Sequence, residues 1–149
     1  MEKIYIASDH AGFRLKEQLI AYFRKAKINY EDVGPFKYVP ADDYPDYTFE
    51  LAGKVNRAKT KGILICRNGI GVCIAANKVK GIRAVSTTSP AIAKTARADD
   101  DTNVLCLGQD FISLALAKKV ITAWRQTKFS GGMRHRRRLA KIKKFEAQK

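Results

Sequence analysis

The sequence predicts an α/β fold in which a five-stranded parallel sheet carries helices on both faces. Short apolar, β-prone segments alternate along the chain with longer segments whose apolar residues recur at helical spacing. Strands that alternate with helices favour right-handed crossovers and therefore parallel strands. A length of 149 residues suits one domain with a sizeable core. We therefore expect a single domain over residues 1–149.

The first half of the chain contains two strand and helix units. Lys3–Ser8 is expected to form the first strand, and Gly12–Lys25 carries apolar residues at helical intervals. Asn29–Val33 is the second strand candidate. Phe36–Asp43 is expected to be an ordered loop, and the next helix is expected to begin at Pro45, because proline suits a first helical turn.

The second half begins with Gly62–Cys66, the third strand candidate, which runs into a glycine-containing turn and an alanine-rich helix. Ile82–Ser86 is expected to form the fourth strand. Ser89 and Pro90 then have the residue types of an N-cap and a first helical position. Val104–Leu107 is expected to form the fifth strand.

Two further helices are expected after the fifth strand. Ile112–Thr127 has apolar residues spaced four apart, which predicts a strong helix. Arg136–Phe145 is expected to form a last helix whose inward-facing residues are Leu139, Ile142 and Phe145.

The charge of the chain is strongly asymmetric. The formal net charge is +15, and residues 125–149 hold ten basic residues and one acidic residue, Glu146, which gives +9. This concentration predicts an anionic partner, such as a phosphate or a nucleic acid, for the C-terminal tail. The chain shows no helix-turn-helix pattern and no aromatic-rich platform for single strands, so nucleic acid is the less favoured partner.

The three cysteines indicate where the protein works. Cys66, Cys73 and Cys106 are odd in number and form no CxxC pair, which argues against a disulfide framework and against a zinc site. No apolar run approaches the roughly 20 residues of a membrane span, and no leader pattern precedes the first strand. We therefore expect a cytoplasmic protein without a membrane partner.

Polar residues follow three of the predicted strands and are expected to converge. Asp9 and His10 follow the first strand, Cys66 to Asn68 end the third, and Asp110 follows the fifth. Ligands of such sheets bind beyond the carboxyl ends of the strands. The sequence therefore predicts one crevice lined by these groups.

Cys66 is the strongest candidate for a reactive group. It stands between a strand end and a turn containing Gly69 and Gly71, and glycines let the backbone approach a ligand closely. Amides at a helix start favour negative charge and a thiolate. The alternative is that Cys66 fills the core, as cysteines at strand ends commonly do; Cys73 and Cys106, which lack this context, are expected to be packing residues.

A series of motifs in order along the chain resembles the ribose-5-phosphate isomerase B family, which also includes the galactose-6-phosphate isomerase subunits. The matching segments are Ser8-Asp9-His10-Ala11-Gly12, Asp43-Tyr44-Pro45, Ile65-Cys66, Gly69-Ile70-Gly71, Ile74 to Lys78, Gly81 to Ala84, Asp101 to Leu105, Gly131-Gly132 and Arg134-His135 with Arg138. The resemblance covers nearly the whole chain. It implies a Rossmann-like α/β/α sandwich with a C-terminal helical tail, an aldose–ketose isomerase activity, and no metal or other cofactor.

The resemblance also implies roles for individual residues. Cys66 would be the base that moves a proton between C1 and C2 through a cis-enediolate, held by backbone amides of the turn. The residues implied to contact the sugar are Asp9, His10, Asp43, Tyr44, Asn68, Gly69, Ile70 and Gly71. The residues implied to bind phosphate are His10, Arg134, His135 and Arg138. Some of the phosphate ligands would come from the other subunit of a homodimer, or of a tetramer, on which the tail of residues 129–149 would pack.

The sequence departs from the family at several of these positions. Arg67 and Asn68 stand in the turn where the family often has Gly-Thr or Gly-Ser, Asp99 replaces the ring-opening histidine, and Asp110 replaces a phosphate-contacting arginine. Met133 is one extra residue, compared with the family, between the Gly131-Gly132 pair and Arg134.

These departures introduce acidic groups that an enediolate would repel unless they are paired or protonated. We expect Arg67 to pair with Asp99 or Asp100 across the pocket. This pair, with Arg67 and Asp100 as substrate-binding residues, would recognise a pattern of sugar hydroxyls different from that of ribose 5-phosphate. Asp99 could itself open the sugar ring as a general acid–base if its carboxyl pKa were raised.

The function expected from the sequence is the interconversion of ribose 5-phosphate and ribulose 5-phosphate. A related reaction on another sugar phosphate is the nearest alternative, because the site departs from the family pattern. A non-catalytic phosphate- or nucleic-acid-binding protein on the same fold is the alternative from another class.

Overall fold

The computed structural model describes residues 2–148, which form a three-layer α/β/α sandwich with a helical tail. The five strands are parallel and lie in the order β2-β1-β3-β5-β4. Their bounds are β1 Ile4–Ser8, β2 Tyr30–Gly34, β3 Lys61–Cys66, β4 Ala84–Ser86 and β5 Val104–Gly108. The helices are α1 Phe13–Lys25, α2 Tyr44–Ala58, α3 Gly71–Ala76, α4 Pro90–Asp100, α5 Leu114–Gln126 and α6 Met133–Glu146.

The central strands are buried on both faces, and their side chains alternate between two cores. On β3, Ile63 and Ile65 pack with residues of α1 and α5, whereas Leu64 and Cys66 pack with residues of α2 and α3. This alternation follows from the two-residue period of a strand. It directs the Cys66 side chain to the α2 and α3 side of the sheet.

The predicted strands and helices are all present, with small shifts at their ends. Ser89 is the N-cap of α4, because its hydroxyl accepts the Ile92 N–H, and Pro90 is the first helical residue, as predicted. Helix α5 begins at Leu114 rather than Ile112, because the Ser113 hydroxyl accepts the Leu116 N–H and caps the helix there.

The predicted inward face of the last helix is wrong for two of its three residues. Leu139 is half-buried, but Ile142 is 49% exposed and Phe145 is 59% exposed. Helix α6 touches the sandwich at α4 and through the Glu146 carboxylate, which accepts the Gly81 N–H at 3.2 Å. The rest of its apolar face is uncovered within one chain.

Gly12 brings the loop after β1 into contact with the end of β3. A Cβ at this position would lie 2.4 Å from the Ile65 carbonyl oxygen. The same carbonyl accepts the Asp9 N–H at 3.2 Å. The absence of a side chain at Gly12 therefore allows Asp9 to lie beside the last residue of β3, which is Cys66. Across residues 2–148, no helix combines the length and the apolar character needed to cross a membrane.

We predict opposite effects for the same substitution at two glycines. Gly12→Ala should lower the free energy of unfolding by about 2 kcal/mol or more, because the added methyl meets main-chain atoms that cannot rotate away. Gly53→Ala should raise it by about 0.5–1 kcal/mol, because Gly53 lies inside α2, where alanine is the better helix former.

Urea unfolding of both variants measures these effects. At Gly53 the nearest atoms to a new Cβ belong to the flexible Arg57 side chain, 3.3 Å away. A Gly12→Ala protein as stable as the parent would show that the loop and β3 do not need this close approach.

Candidate active site

A crevice lies at the carboxyl edge of the sheet, but it is lined by only part of the predicted set: Asp9 and Cys66 to Asn68 line it, and His10 and Asp110 do not. A cavity of about 310 Å³ lies there and is lined by Asp9, Tyr44, Cys66, Arg67, Asn68, Ile70, Gly71 and Ile74. It opens between β1 and β3, where the order of the strands reverses direction along the sheet. A larger cleft of about 730 Å³ lies beneath α6 and contains none of the predicted site residues.

The Cys66 sulfur has a partner for each of its protonation states. The residue is 4% exposed, and its Sγ accepts the Gly69 N–H at 3.2 Å. The Asn68 Oδ1 lies 3.8 Å from Sγ and can accept the thiol proton. A group that is stabilised both as thiol and as thiolate can take up and return a proton, which is what a general base in an isomerisation must do.

The turn after Cys66 is shaped by its own hydrogen bonds. Gly69 adopts a left-handed conformation with φ of 75°, and the Asn68 side chain accepts the Ile70 N–H at 2.9 Å. The amides of Gly69 and Ile70 are therefore already bonded. Within residues 2–148 this leaves the amides of Asn68 and Gly71 as the donors available to an anionic oxygen in the cavity.

The aromatic ring of Tyr44 lies over Gly71. A Cβ at position 71 would be 2.7 Å from a ring carbon of Tyr44. The ring therefore forms one wall of the cavity beside the turn.

Asp9 is buried at the end of β1. Its Oδ1 accepts the Gly12 N–H at 3.0 Å, and burial raises the pKa of its carboxyl. A carboxyl with a raised pKa exchanges protons more readily at neutral pH than an ordinary aspartate does. Asp9 is therefore suited to hydrogen bonding and proton exchange with a sugar hydroxyl.

His10 is bonded twice by one carboxylate oxygen. The Asp42 Oδ1 accepts the His10 N–H at 2.9 Å and lies 2.7 Å from His10 Nδ1. The hydrogen bond with Asp42 is the main cause of a raised His10 pKa. Asp43, which is predicted to contact the sugar, has an exposed side chain and makes no capping bond, whereas its neighbour Asp42 holds the histidine.

Asp9, His10 and Asp42 together form the group that could hold a metal ion. Their ligand atoms lie within 4.8 Å of one another. Since His10 Nδ1 is engaged by Asp42, a metal ion would have to replace that hydrogen bond.

Arg67 does not pair with Asp99 or Asp100, so that expectation is wrong. Its Nε lies 3.1 Å from the Asp110 Oδ2, and its main-chain oxygen accepts the Asp110 N–H at 3.0 Å. The Arg67 side chain is 78% exposed at the rim of the cavity. The turn after β3 and the turn after β5 lie side by side, which brings Arg67 next to Asp110.

Asp99 and the three phosphate candidates of α6 lie at the other edge of the sheet, away from His10. A helix that joins parallel strands ends at their amino ends, so the end of α4 lies about one strand length from Cys66, or roughly 15 Å for a five-residue strand such as β5. The Asp99 Oδ1 lies 3.6 Å from the His135 Nε2. Arg134 and Arg138 are exposed on α6, and none of these residues lines the Cys66 cavity.

The other two cysteines lie behind the site. Cys106 is fully buried, and burial raises its pKa well above the ordinary value. Cys73 is half-buried on α3, and a hydrogen bond with the Cys106 side chain lowers the Cys73 pKa. Both pack in the α2 and α3 core, as expected for packing residues.

Residues 4–142 match the family model described as Ribose/Galactose Isomerase. The chain belongs to the ribose/galactose isomerase family. It is 44% identical over 147 residues to a probable ribose-5-phosphate isomerase B of Mycoplasma pneumoniae, covering 98% of this chain and 96% of that protein. It is 38% identical over 150 residues to the ribose-5-phosphate isomerase B of Escherichia coli, covering 100% and 99% of the two chains.

Solved structures agree with this assignment. The crystal structure of ribose-5-phosphate isomerase B from Mycoplasma genitalium with bound ribulose-5-phosphate superposes with a TM-score of 0.92 at 41% identity, covering 99% of this chain and 97% of that one. The enzyme from Clostridium thermocellum superposes with a TM-score of 0.92 at 37% identity, covering 98% of each. The fold expected from the resemblance is therefore confirmed.

An exposed ion pair joins Arg67, at the rim of the cavity, to Asp110. We predict that a double-mutant cycle of Arg67→Ala and Asp110→Ala will give a coupling of at most about 1 kcal/mol in unfolding free energy, because both side chains are largely exposed.

The matched cycle pairs Arg67→Ala with Asp99→Ala and should give additive effects. Coupling between Arg67 and Asp99 that exceeds the coupling between Arg67 and Asp110 would show that Arg67 pairs with Asp99 rather than with Asp110.

Proposed function

We propose that this chain is a ribose-5-phosphate isomerase that interconverts ribose 5-phosphate and ribulose 5-phosphate. The observation that carries the proposal is the Cys66 thiol in the cavity between β1 and β3, with an acceptor in Asn68 and a donor in the Gly69 amide. The likeness to a protein whose structure holds ribulose-5-phosphate supports the choice of substrate.

The positions of the groups support the following reaction. Once the sugar ring is open, the Cys66 thiolate removes the proton from C2, and the electron pair of that bond forms a cis-enediolate with the negative charge on O1. The free amides of Asn68 and Gly71 stabilise the anionic oxygen. Cys66 returns the proton to C1, while O2 loses its proton to become the ketone oxygen and O1 gains one. Asp9, with its raised pKa, is placed to carry a proton between O2 and O1.

The site needs residues that one chain holds at the far edge of its sheet. Asp99 lies about one strand length from Cys66, and Arg134 and Arg138 do not line the Cys66 cavity. On the same helix, Ile142 is 49% exposed and exposes apolar surface. We infer a homodimer in which α6 of one subunit packs on the other. Asp99 of the partner subunit would open the ring, and Arg134, His135 and Arg138 of the partner subunit would bind the phosphate with His10 of the first.

The proposed setting is the cytoplasm, with the whole chain acting as one domain. The three cysteines are free, which supports a reducing compartment.

A different sugar phosphate is the second candidate substrate. The observation that favours it is the Arg67 and Asp110 pair at the rim of the cavity, which places a guanidinium and a carboxylate where substrate hydroxyls enter. An assay of the interconversion of aldose and ketose phosphates with five and six carbons distinguishes ribose 5-phosphate from another sugar phosphate as the substrate. Turnover of a hexose phosphate above that of ribose 5-phosphate would reassign the substrate.

We predict that Cys66→Ala will lower kcat for ribose 5-phosphate by roughly 10²- to 10⁴-fold, which is the usual contribution of a general base. The fold and the unfolding midpoint should change little. Cys73→Ala is the matched control, since it removes a second thiol of the same core outside the cavity. A Cys66→Ala enzyme that keeps most of its turnover would exclude the thiol as the base.

We predict that two impaired variants will complement each other in a mixed dimer when activity is measured well below the wild-type KM. Arg138→Ala should raise the KM for ribose 5-phosphate by roughly 10- to 150-fold, because a charge-assisted contact contributes about 1.5–3 kcal/mol. Each proposed site takes Cys66 from one chain and Arg138 from the other. In a dimer of one Cys66→Ala chain and one Arg138→Ala chain, one site therefore has both residues intact and the other has lost both. Purified mixed dimers should show about half of the wild-type activity.

Co-expression with two affinity tags yields those mixed dimers, and each variant with itself is the control. If the mixed dimers are no more active than the Arg138→Ala protein, the site is built within one chain.

A further inference from the structure

Asp42 is the most constrained charged side chain near the cavity that the proposed reaction does not use. Its side chain is 6% exposed, and a single oxygen, Oδ1, binds both the main-chain N–H and the ring Nδ1 of His10. Two bonds from one oxygen restrain both the backbone and the ring of the histidine. The other oxygen, Oδ2, is buried and has no hydrogen-bond partner within residues 2–148.

The surrounding rings restrict His10 further. The edge of the Tyr38 ring packs against the imidazole, with ring centroids 6.3 Å apart and an interplanar angle of 83°. The His10 side chain remains 35% exposed, so part of the ring faces outward. With Nδ1 bonded to Asp42, the nitrogen left for a ligand is Nε2.

The bond to Asp42 decides what Nε2 can do. An ionised carboxylate only accepts, so Nδ1 must carry a proton. In the neutral imidazole Nε2 would then be an acceptor, and only the imidazolium has an Nε2–H to donate to a phosphate oxygen. The cation is also the form that a phosphate attracts.

We propose that Asp42 is a positioning residue that holds His10 as an Nε2–H donor for the substrate's phosphate. The proposal rests on the proposed function for the identity of that phosphate. It adds Asp42, a residue that the sequence pattern did not single out, to the machinery of the site.

The two carboxylates that face His10 both raise its pKa. The hydrogen bond with Asp42 is the largest cause of the raised His10 pKa, and the Asp9 carboxylate raises it further. From α2, Tyr47 faces Asp42, and its own pKa is raised by burial and then by that carboxylate, so Tyr47 stays neutral. Because the His10 pKa is raised, phosphate binding is retained to a higher pH than an ordinary histidine would allow, and it is lost as the pH rises through the pKa of the bound pair. Without Asp42 the loss occurs at lower pH.

The test compares Asp42→Asn with Asp46→Asn, a matched change of an exposed aspartate in the first turn of α2. Proton NMR follows the imidazoles of the ligand-free proteins against pH, and His135→Gln identifies the His10 signal, because the chain has two histidines. Asp42→Asn should lower the His10 pKa by about one unit and raise the KM for ribose 5-phosphate roughly tenfold at neutral pH, with kcat changed less than about twofold. Asp46→Asn should change neither the His10 pKa nor the KM.

A second variant keeps the test valid if Asp42→Asn unfolds. His10→Asn removes the imidazolium but keeps a side-chain N–H that can donate to the Asp42 carboxylate. This variant should raise the KM for ribose 5-phosphate by a similar factor. It should also abolish the dependence of KM on pH near neutrality. If Asp42 acts through His10, the double variant Asp42→Asn/His10→Asn should be no worse than His10→Asn alone.

Inorganic phosphate is the probe that separates this proposal from the proposed function. Phosphate should shift the His10 resonance in the wild type and bind roughly tenfold more weakly to Asp42→Asn. An unchanged His10 pKa in Asp42→Asn, or a His10 signal that does not respond to phosphate, would overturn the positioning role. Failure of the proposed function would instead appear as a wild-type protein that turns over no sugar phosphate while these NMR results hold.

Discussion

The parallel direction of the five strands determines which groups of this protein can meet. Parallel strands bring all their carboxyl ends to one edge, so Asp9 after β1 and Cys66 at the end of β3 become neighbours although they are far apart in sequence. The same polarity sends the end of α4 and the start of α6 to the opposite edge, with Asp99 and His135 side by side there. A site that uses both sets of residues has to be completed by a second chain.

The chemistry at the carboxyl edge rests mainly on neighbours that are local in sequence. The Cys66 sulfur is bonded by an amide three residues later, and Asn68 closes the turn by accepting the Ile70 N–H. Such short-range bonds form whenever the turn forms, so the environment of the thiol does not depend on distant loops. By contrast, His10 depends on Asp42, which is 32 residues away and comes from the loop before α2.

This difference explains how much of the molecule could be predicted from sequence. The strands, the Ser89 cap and the turn after Cys66 have local signals, and all were predicted. Asp42 and Asp43 are adjacent carboxylates, and which one faces His10 depends on the path of the preceding loop, which no periodicity encodes. The prediction of the Arg67 partner was wrong for a similar reason, because a long side chain can reach acidic residues of several turns. Helical spacing grouped Ile142 with Leu139 but could not tell whether their own chain covers them.

The contact between Cys73 and Cys106 has a consequence for chemical labelling of this protein. Thiol reagents attack the thiolate, and Cys73 combines a lowered pKa with a half-buried, partly accessible side chain. Cys66 is almost fully buried and Cys106 is wholly so. We therefore expect an alkylating reagent such as iodoacetamide to modify Cys73 first. The first equivalent of bound label would then report on α3 rather than on Cys66.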